Sequence, residues 1–462
     1  MHRLKKSLPE PEIIPRSLST TDGDRPRGHH FNVATITMAV TMIVSSAPVR
    51  TAATCLRLML EAFSPGKEID SPSFGVMRLW TLRIGYYKLI RPVTKVDDDW
   101  ILIVDFSVQI GPHKCFVVLG AKMSVLKQKR CLSLADVDVL MVAIMEKPTG
   151  DTVFEKLLEV VDRVGVPRAI IADGGSDLQA GIKAFVAKHP ASVAIYDIAH
   201  KAAAELKRIL ASDPKWSLFV AAVHAFKLRI QQTPFAVLAP PAQRAKGRAM
   251  NFDVIMSWVK NGFMAAYTKP VVTAAVLGVD AIKLKDFISW FNDFEVDFIR
   301  WDELCLIVQI THAYIEQEGY HQGASNALEF LLPKPTTSDG LRLHRVLIDF
   351  VRTQSSCAKD GERLPGSSDV IESLFGKLKR FEGDHVKSGF SQSVLALAAM
   401  TSTNTPDLVK TALETSKVKD VYEWGREQIG TSVQAGRVAV RELSKTLFGK
   451  EEKWDRFHAV TT

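Results

Sequence analysis

The stretch Trp100-Ile101-Leu102-Ile103-Val104-Asp105-Phe106-Ser107-Val108 predicts a buried β-strand that contains one ionisable residue. Alternate residues of the strand form two faces, of which one is wholly apolar and the other turns polar at Asp105. An ionised carboxylate in such a strand costs free energy unless it is paired, hydrogen-bonded or bound to a metal ion. Asp105 therefore indicates a partner elsewhere in the chain.

Two later acids are candidate partners. The segment 168–173 predicts a short apolar strand that ends on Asp173 and turns at Gly174-Gly175. The segment 367–380 predicts a helix with Glu372 in its first turn. Carboxylates are preferred ligands of Mg²⁺. Asp105, Asp173 and Glu372 together form a candidate metal site.

The composition limits what that site can serve. The 462 residues, 47% of them hydrophobic, predict a globular protein of two or three domains. A net charge of +8 favours an anionic partner. The five scattered cysteines predict neither a disulfide framework nor a zinc ribbon, and we expect a cytoplasmic, nucleoid-associated protein. The apolar stretch 33–48 is too short and too polar for a membrane span, so no membrane partner is expected.

The N-terminal region predicts a DNA-binding domain. Residues 1–30 have the composition of a flexible arm, and 31–92 predict a helix-turn-helix domain with helices at 33–46, 48–62 and 73–84. The third helix carries Arg78 and Arg83, which could contact phosphates from a major groove. A plain three-helix packing module explains the same pattern equally well.

From residue 93 the pattern becomes α/β. Strands are predicted at 100–109, 113–121, 137–144, 168–173 and 192–196, with helices at 151–164 and 177–188. This order is that of an RNase H-like mixed sheet flanked by helices, in which the first and fourth strands lie side by side. That adjacency would bring Asp105 and Asp173 within reach of one cation.

The three acids resemble the catalytic residues of DDE transposases from bacterial insertion sequences. The separations are 68 residues, from Asp105 to Asp173, and 199 residues, from Asp173 to Glu372. The longer one is similar to that of members with a large helical insertion before the last acid. The resemblance implies an RNase H-like catalytic core at 93–210 and 355–400, an α-helical insertion at 211–354 and a C-terminal helical region at 401–462.

Two shorter motifs support the resemblance. Glu372 and Lys379 have the E-x6-K spacing of the cut-and-paste group, which places the lysine on the face of the glutamate, while Ser368 stands where that group has an arginine. Asp197-Ile198-Ala199-His200 resembles the C-x-x-H motif of hAT enzymes. The resemblance implies catalytic roles for His200 and Lys379 near the scissile phosphate.

The implied chemistry is in-line displacement at phosphorus with two Mg²⁺ ions, for which Mn²⁺ can substitute. Such an enzyme needs no small-molecule cofactor and no covalent nucleophile. The expected partners are double-stranded DNA, as element ends and target, and a second copy of the chain, because two ends must be joined.

Two of the three acids also have a simpler interpretation. Asp173 before two glycines could be only a turn residue. Asp369-Val370-Ile371-Glu372 fits a capping box in which Glu372 reaches back to the start of its own helix. Asp105 has no comparable local explanation.

Further DNA contacts are predicted in the insertion and after it. Phosphate contacts are predicted for the cations of a loop near 240–248 and of the Glu372 helix, namely Arg244, Lys246, Arg248, Lys377, Lys379 and Arg380. Trp258, Trp290 and Trp301 are candidates for stacking on a flipped base, although most tryptophans are core residues. Residues 433–448 predict an amphipathic basic helix.

The sequence thus favours a DNA transposase. Two alternatives remain open: an RNase H-like nuclease or resolvase that cleaves without joining, and a domesticated, non-catalytic transposase derivative that only binds DNA.

Overall fold

The computed structural model of the chain describes residues 20–21, 23–63, 69–91, 100–110, 113–242, 251–382, 390–430 and 433–448. The chain divides into two compact units. The first contains Met1–Lys122, Leu132–Gly165 and Asp369–Thr462, and the second contains Met123–Cys131 and Val166–Ser368. Most of the predicted flexible arm, at 1–19 and 22, lies outside the described residues.

Twenty α-helices and five strands are described, with short 3₁₀ segments and one π-helical segment, Val259–Phe263, between them. The first unit contains α1 (Val33–Val44), α2 (Val49–Phe63), α3 (Phe74–Ile90), β1 (Trp100–Ile110), β2 (His113–Lys122), β3 (Asp138–Glu146), α5 (Gly150–Val164), α16 (Asp369–Glu382), α17 (Ala396–Ala399), α18 (Pro406–Thr415), α19 (Val418–Ile429) and α20 (Val433–Phe448). The second contains α4 (Met123–Gln128), β4 (Ala169–Ala172), α6 (Ser176–Lys188), β5 (Val193–Tyr196), α7 (Ile198–Ala211), α8 (Pro214–Ile230), α9 (Phe252–Trp258), α10 (Met264–Thr268), α11 (Pro270–Leu277), α12 (Ala281–Ile288), α13 (Glu295–Glu318), α14 (Ala324–Leu331) and α15 (Ser338–Ser355).

The strands form a mixed sheet in the order β3-β2-β1-β4-β5, and the fold is α/β and mostly helical. β2 pairs antiparallel with both β1 and β3, whereas β4 and β5 are parallel. The β1–β2 register shifts between Ser107 and Gln109, so the ladder is irregular beyond the apolar part of β1. All predicted strands and the predicted helices before residue 210 are confirmed within a few residues, except that α3 runs to Ile90.

Helix α3 is the central helix of the first unit. It packs against α1, α2, α17, α18 and α19. Gly85 permits a close approach of the 3₁₀ segment Gln392–Leu395, because a Cβ atom there would lie 2.8 Å from the carbonyl carbon of Leu395. The buried residues of α3 therefore belong to the core of the first unit.

The buried face of α5 differs from the apolar face that the sequence predicts for this helix. The sequence pattern assigns Phe154, Leu157, Leu158, Val161 and Val164 to that face. The buried residues are instead Val153, Leu157, Val160 and Val164, and Phe154 is only half-buried. The buried stripe is therefore rotated toward Val153, because a wide apolar surface on a helix does not define which residues lie at its centre.

An aromatic cluster forms the core of the helical part of the second unit. The rings of Trp216 and Trp301 lie 5.1 Å apart in an edge-to-face arrangement, and Phe219 lies 4.8 Å from Trp301. Trp216, Phe219 and Trp301 are at most 2% exposed. These large rings bury much apolar surface and stabilise the packing of α8 against α13 and the 3₁₀ segment Ser289–Phe294.

Within the described ranges, none of the helices combines the length and the apolar composition that a membrane crossing requires.

Candidate active site

Asp105 lies in the middle of β1, directly after the fully buried part of the strand. Residues Ile101–Val104 are completely buried on both faces of the strand, whereas Asp105 and Phe106 are half-buried. Asp105 pairs with Val117 of β2, and its Oδ1 accepts a hydrogen bond from the amide of Phe106 at 2.7 Å. The half-buried position relieves part of the desolvation cost that the sequence predicts for this carboxylate.

Glu372 lies on α16, which packs directly against β1 within the first unit. The helix buries Val370, Ile371, Leu374 and Phe375 and leaves Glu372 half-buried. Asp105 and Glu372 are thus carried by two elements of one unit that touch.

Glu372 lies in the first turn of α16, which begins at Asp369. The capping-box interpretation, in which Glu372 reaches back to the start of its own helix, stays a prediction.

Asp173 directly follows β4 in the second unit and forms the predicted turn. Its Oδ1 accepts a hydrogen bond from the amide of Gly175 at 2.9 Å, and the side chain of Gln179 donates to its carbonyl at 2.6 Å. The turn interpretation is confirmed. It does not conflict with ligand binding, because an ionised carboxylate can accept several bonds.

Tyr196, at the end of β5, is a neighbour of this turn that the sequence did not single out. Gly174 leaves space for its ring, because a Cβ atom there would lie 2.9 Å from Cζ of Tyr196. Burial, and then the charges of Asp173 and Asp197, raise the pKa of Tyr196. The phenol therefore stays protonated at neutral pH and can donate a hydrogen bond beside Asp173.

His200 lies in the first turn of α7, and Asp197 is the N-cap residue of that helix. The carboxylate of Asp197 accepts the amide hydrogen of His200 at 3.0 Å, and Nδ1 of His200 lies 3.5 Å from the same oxygen. The His200 side chain is 24% exposed. The D-x-x-H motif therefore caps a helix and leaves one imidazole edge near solvent.

The Asp197 carboxyl stays ionised despite complete burial. Burial alone raises the pKa of this carboxyl, but hydrogen bonds from His200 and Ser368 outweigh it and hold the pKa well below its usual range. The sequence contains a signal for this role of Asp197, because aspartate is a preferred residue at the N-cap position of a helix.

The cations predicted on α3 have partners inside the first unit. Nη2 of Arg78 donates to Oγ of Ser393 at 2.7 Å. Arg83 donates from Nε to the carbonyl of Ser416 at 3.0 Å and also binds the carbonyl of Leu413. Arg83 therefore supplies hydrogen bonds to backbone carbonyls at the end of α18. Contact of either arginine with DNA stays a prediction.

The cations on α16 differ in exposure. Lys379 and Arg380 are exposed, whereas Lys377 is half-buried and donates from Nζ to the carbonyl of Val44 at 2.7 Å. Burial lowers the pKa of Lys377. Lys379 and Arg380 thus retain the accessibility that phosphate contact requires, whereas Lys377 holds α16 to the end of α1.

The three candidate stacking residues belong to one aromatic cluster. Trp301 is completely buried and donates from Nε1 to Asp213 at 2.9 Å, which is the environment of a core residue. Stacking of Trp301 on DNA stays a prediction. Trp258 and Trp290 are half-buried in the same cluster. Arg244, Lys246 and Arg248 lie outside the described residues.

Comparison with known proteins gives little further information. No protein-family model matches the chain, and a search of curated proteins finds no match. Among solved structures, the chain is similar to the Drosophila P element transposase strand transfer complex, with a TM-score of 0.35 and 12% sequence identity. The match covers 87% of this chain and 94% of that chain. A similarity this low carries no functional argument.

Proposed function

We propose that this protein is a DDE-type DNA transposase with an RNase H-like catalytic core, which binds element ends and catalyses metal-dependent strand cleavage and strand transfer. Asp105, Asp173 and Glu372 are the metal ligands of the proposal. His200 and Lys379 contact the scissile region of the DNA.

The observation that carries the proposal is the packing of α16 against β1. It joins the helix of Glu372 to the strand of Asp105, although the two acids are far apart in the sequence. Asp105 and Glu372 are both half-buried carboxylates. Their positions on two touching elements of one unit support a cation site that they share.

The donor chemistry fits Mg²⁺. Each of the three acids is a half-buried carboxylate on a different element, and Mg²⁺ prefers such oxygen ligands with several waters retained. When bound, two such ions would activate the attacking oxygen and stabilise the leaving oxygen of a phosphodiester. Asp105, Asp173 and Glu372 would hold these ions.

Nearby side chains supply the remaining functions. The imidazole of His200 and the phenol of Tyr196 follow the second strand of the β4–β5 pair, and both can donate hydrogen bonds to phosphate oxygens. Lys379 and Arg380 are exposed cations on the helix of Glu372 and can bind the DNA backbone. Strand transfer joins two ends, so the proposed active species is a homo-oligomer.

The test is a cleavage and joining assay on duplex DNA taken from the regions that flank the gene, with Mg²⁺ or Mn²⁺. We expect the wild-type chain to release 3′-OH ends and join them to a target plasmid. Asp105→Asn, Asp173→Asn and Glu372→Gln should each lower the rate by about a thousandfold, because several kcal/mol of charge stabilisation is lost.

Asp162→Asn is the matched control, since Asp162 is an exposed acid on α5 and its loss should leave both steps unchanged. Wild-type activity in all three active-site variants would refute the metal ligands. Cleavage without joining would instead identify a nuclease or resolvase, and DNA binding without cleavage would identify a non-catalytic derivative.

A further inference from the structure

The Asp197 carboxylate connects two parts of the second unit that are distant in sequence. Asp197 is completely buried. Its Oδ1 binds the amide of His200, and its Oδ2 accepts hydrogen bonds from both the amide and the hydroxyl of Ser368, each at 2.6 Å. Short bonds from neutral donors to a buried carboxylate are among the stronger hydrogen bonds in proteins. Ser368 is the residue immediately before α16.

The segment that leads to Ser368 is held along its length. Leu364 exchanges two backbone hydrogen bonds with Tyr320, at 2.7 and 2.9 Å, and the carbonyl of Gly366 accepts from the amide of Ile198 at 3.0 Å. Gly366 fits closely, since a Cβ atom there would lie 2.9 Å from Cε2 of Tyr320. This segment is therefore a fixed connection and not a loose loop.

The backbone of Asp197 is hydrogen-bonded to the residue before Asp173. Its amide donates to the carbonyl of Ala172 at 3.1 Å, and Ala172 is the residue before Asp173. One residue thus contacts the strand end that precedes Asp173 and the residue that precedes the helix of Glu372.

We propose that Asp197 is a positioning residue, whose buried carboxylate fixes Ser368 and so fixes the residue from which the helix that carries Glu372 starts. Asp197 touches neither metal nor DNA in this role. The inference rests on the proposed function for its catalytic consequence, but the hydrogen-bonded connection itself does not depend on it.

Both carboxylate oxygens are needed in this arrangement. One accepts the amide of His200, and the other accepts both groups of Ser368, which its two lone pairs accommodate. An asparagine at 197 keeps one oxygen and has an amide NH2 in place of the other, so it directs hydrogens at the donors either of Ser368 or of His200. The Asp197→Asn variant therefore breaks one side of the connection with almost no change in volume.

A buried acid elsewhere in the second unit provides a matched control. Asp213 is 7% exposed, caps α8 through the amide of Lys215 and accepts bonds from Arg300 and Trp301. Asp213→Asn should also destabilise the chain, but these bonds of Asp213 go to Lys215, Arg300 and Trp301 and not to the segment before α16.

The first experiment measures DNA cleavage by the full chain as a function of Mg²⁺ concentration. Asp197→Asn and Ser368→Ala should raise the Mg²⁺ concentration for half-maximal rate about tenfold, which corresponds to about 1.4 kcal/mol. Ser368→Thr, which keeps the hydroxyl, and Asp213→Asn should leave it at the wild-type value. An unchanged Mg²⁺ dependence in both Asp197→Asn and Ser368→Ala would overturn the positioning role.

The second experiment needs no activity. Amide hydrogen exchange in 366–373 of the full chain should accelerate about tenfold or more in Asp197→Asn and stay unchanged in Asp213→Asn. A wild-type chain that cleaves no DNA would refute the proposed function, while exchange would still test the connection. Equal exchange in wild type and Asp197→Asn would overturn the inference.

Discussion

Gly174 lies against the hydroxyl end of Tyr196, so that a Cβ atom at position 174 would come within 2.9 Å of Cζ and closer still to the hydroxyl. The turn after Asp173 and the end of β5 therefore depend on a glycine for space. The glycine is required here for its missing side chain, because no positive φ angle is found at this position.

Gly174→Ala should displace Tyr196 and destabilise the chain by about 1–3 kcal/mol, the usual cost of inserting a methyl group into a packed site. Urea unfolding measures the change. Adding Tyr196→Phe should recover part of it, because the hydroxyl makes the closest contact. Gly376→Ala is the control, since its Cβ would meet no atom within 4 Å. Equal stabilities of Gly174→Ala and Gly376→Ala would contradict the clash.

Arg83→Lys should destabilise the chain by about 2 kcal/mol, because an ammonium cannot reproduce the forked contacts with Ser416 and Leu413. Thermal unfolding and DNA binding are measured on the same preparation. Arg57→Lys, an exposed change on α2, provides the baseline. If Arg83 mainly contacts DNA, Arg83→Lys will weaken DNA binding and leave the stability unchanged. That result would contradict the structural role of Arg83.

Trp301→Phe should cost about 1–3 kcal/mol, since Asp213 loses the indole donor and stays buried. DNA cleavage per folded molecule should not change. Trp258→Phe is the comparison, because its indole donates to the carbonyl of Leu238 at 3.2 Å from a half-buried position. If Trp301→Phe loses cleavage and keeps the wild-type stability, the result would indicate that Trp301 stacks on DNA.

Lys88 should make stability depend on pH. Burial lowers the pKa of Lys88 from 10.5 to about 7, although the charge of Asp138 acts in the opposite direction. Between these two values the unfolded chain holds a proton that the folded chain lacks, so the contribution of Lys88 to stability rises with pH. The slope is at most about 1.4 kcal/mol per pH unit.

Denaturant unfolding between about pH 7 and pH 10 tests this slope. Lys88→Met should flatten it, whereas Lys419→Met, an exposed change on α19, should leave it intact. The Lys88 amino group also donates to Asn404 at 3.2 Å, so Lys88→Met leaves that oxygen without one donor. A wild-type slope in Lys88→Met would show that another group titrates.

Local periodicity was sufficient to predict most elements. β1, α16 and the two strands of the β4–β5 pair lie where the hydrophobic pattern puts them. The positions of Asp105 in its strand and Asp173 in its turn followed from the same pattern. These features depend on neighbouring residues, which the sequence displays directly.

Long-range side-chain contacts were not predictable in this way. Arg83 binds Leu413 and Ser416 across more than three hundred residues, and Arg168 forms a bidentate ion pair with Glu362 at 2.8 and 2.6 Å. Nothing in local periodicity distinguishes such an arginine from one that contacts phosphate. The role of α3 was therefore uncertain from sequence alone, and its central packing became visible only when α17–α19 were in place.

The division of the chain into units has a consequence during translation. The first unit combines residues before 166 with residues after 368, so the ribosome must produce roughly 200 intervening residues before α16 can cover β1. At ordinary elongation rates this takes about 10 to 40 s, during which the apolar side chains of Ile101–Val104 lack that cover. The ribosome thus completes the sequence of the second unit before it completes that of the first.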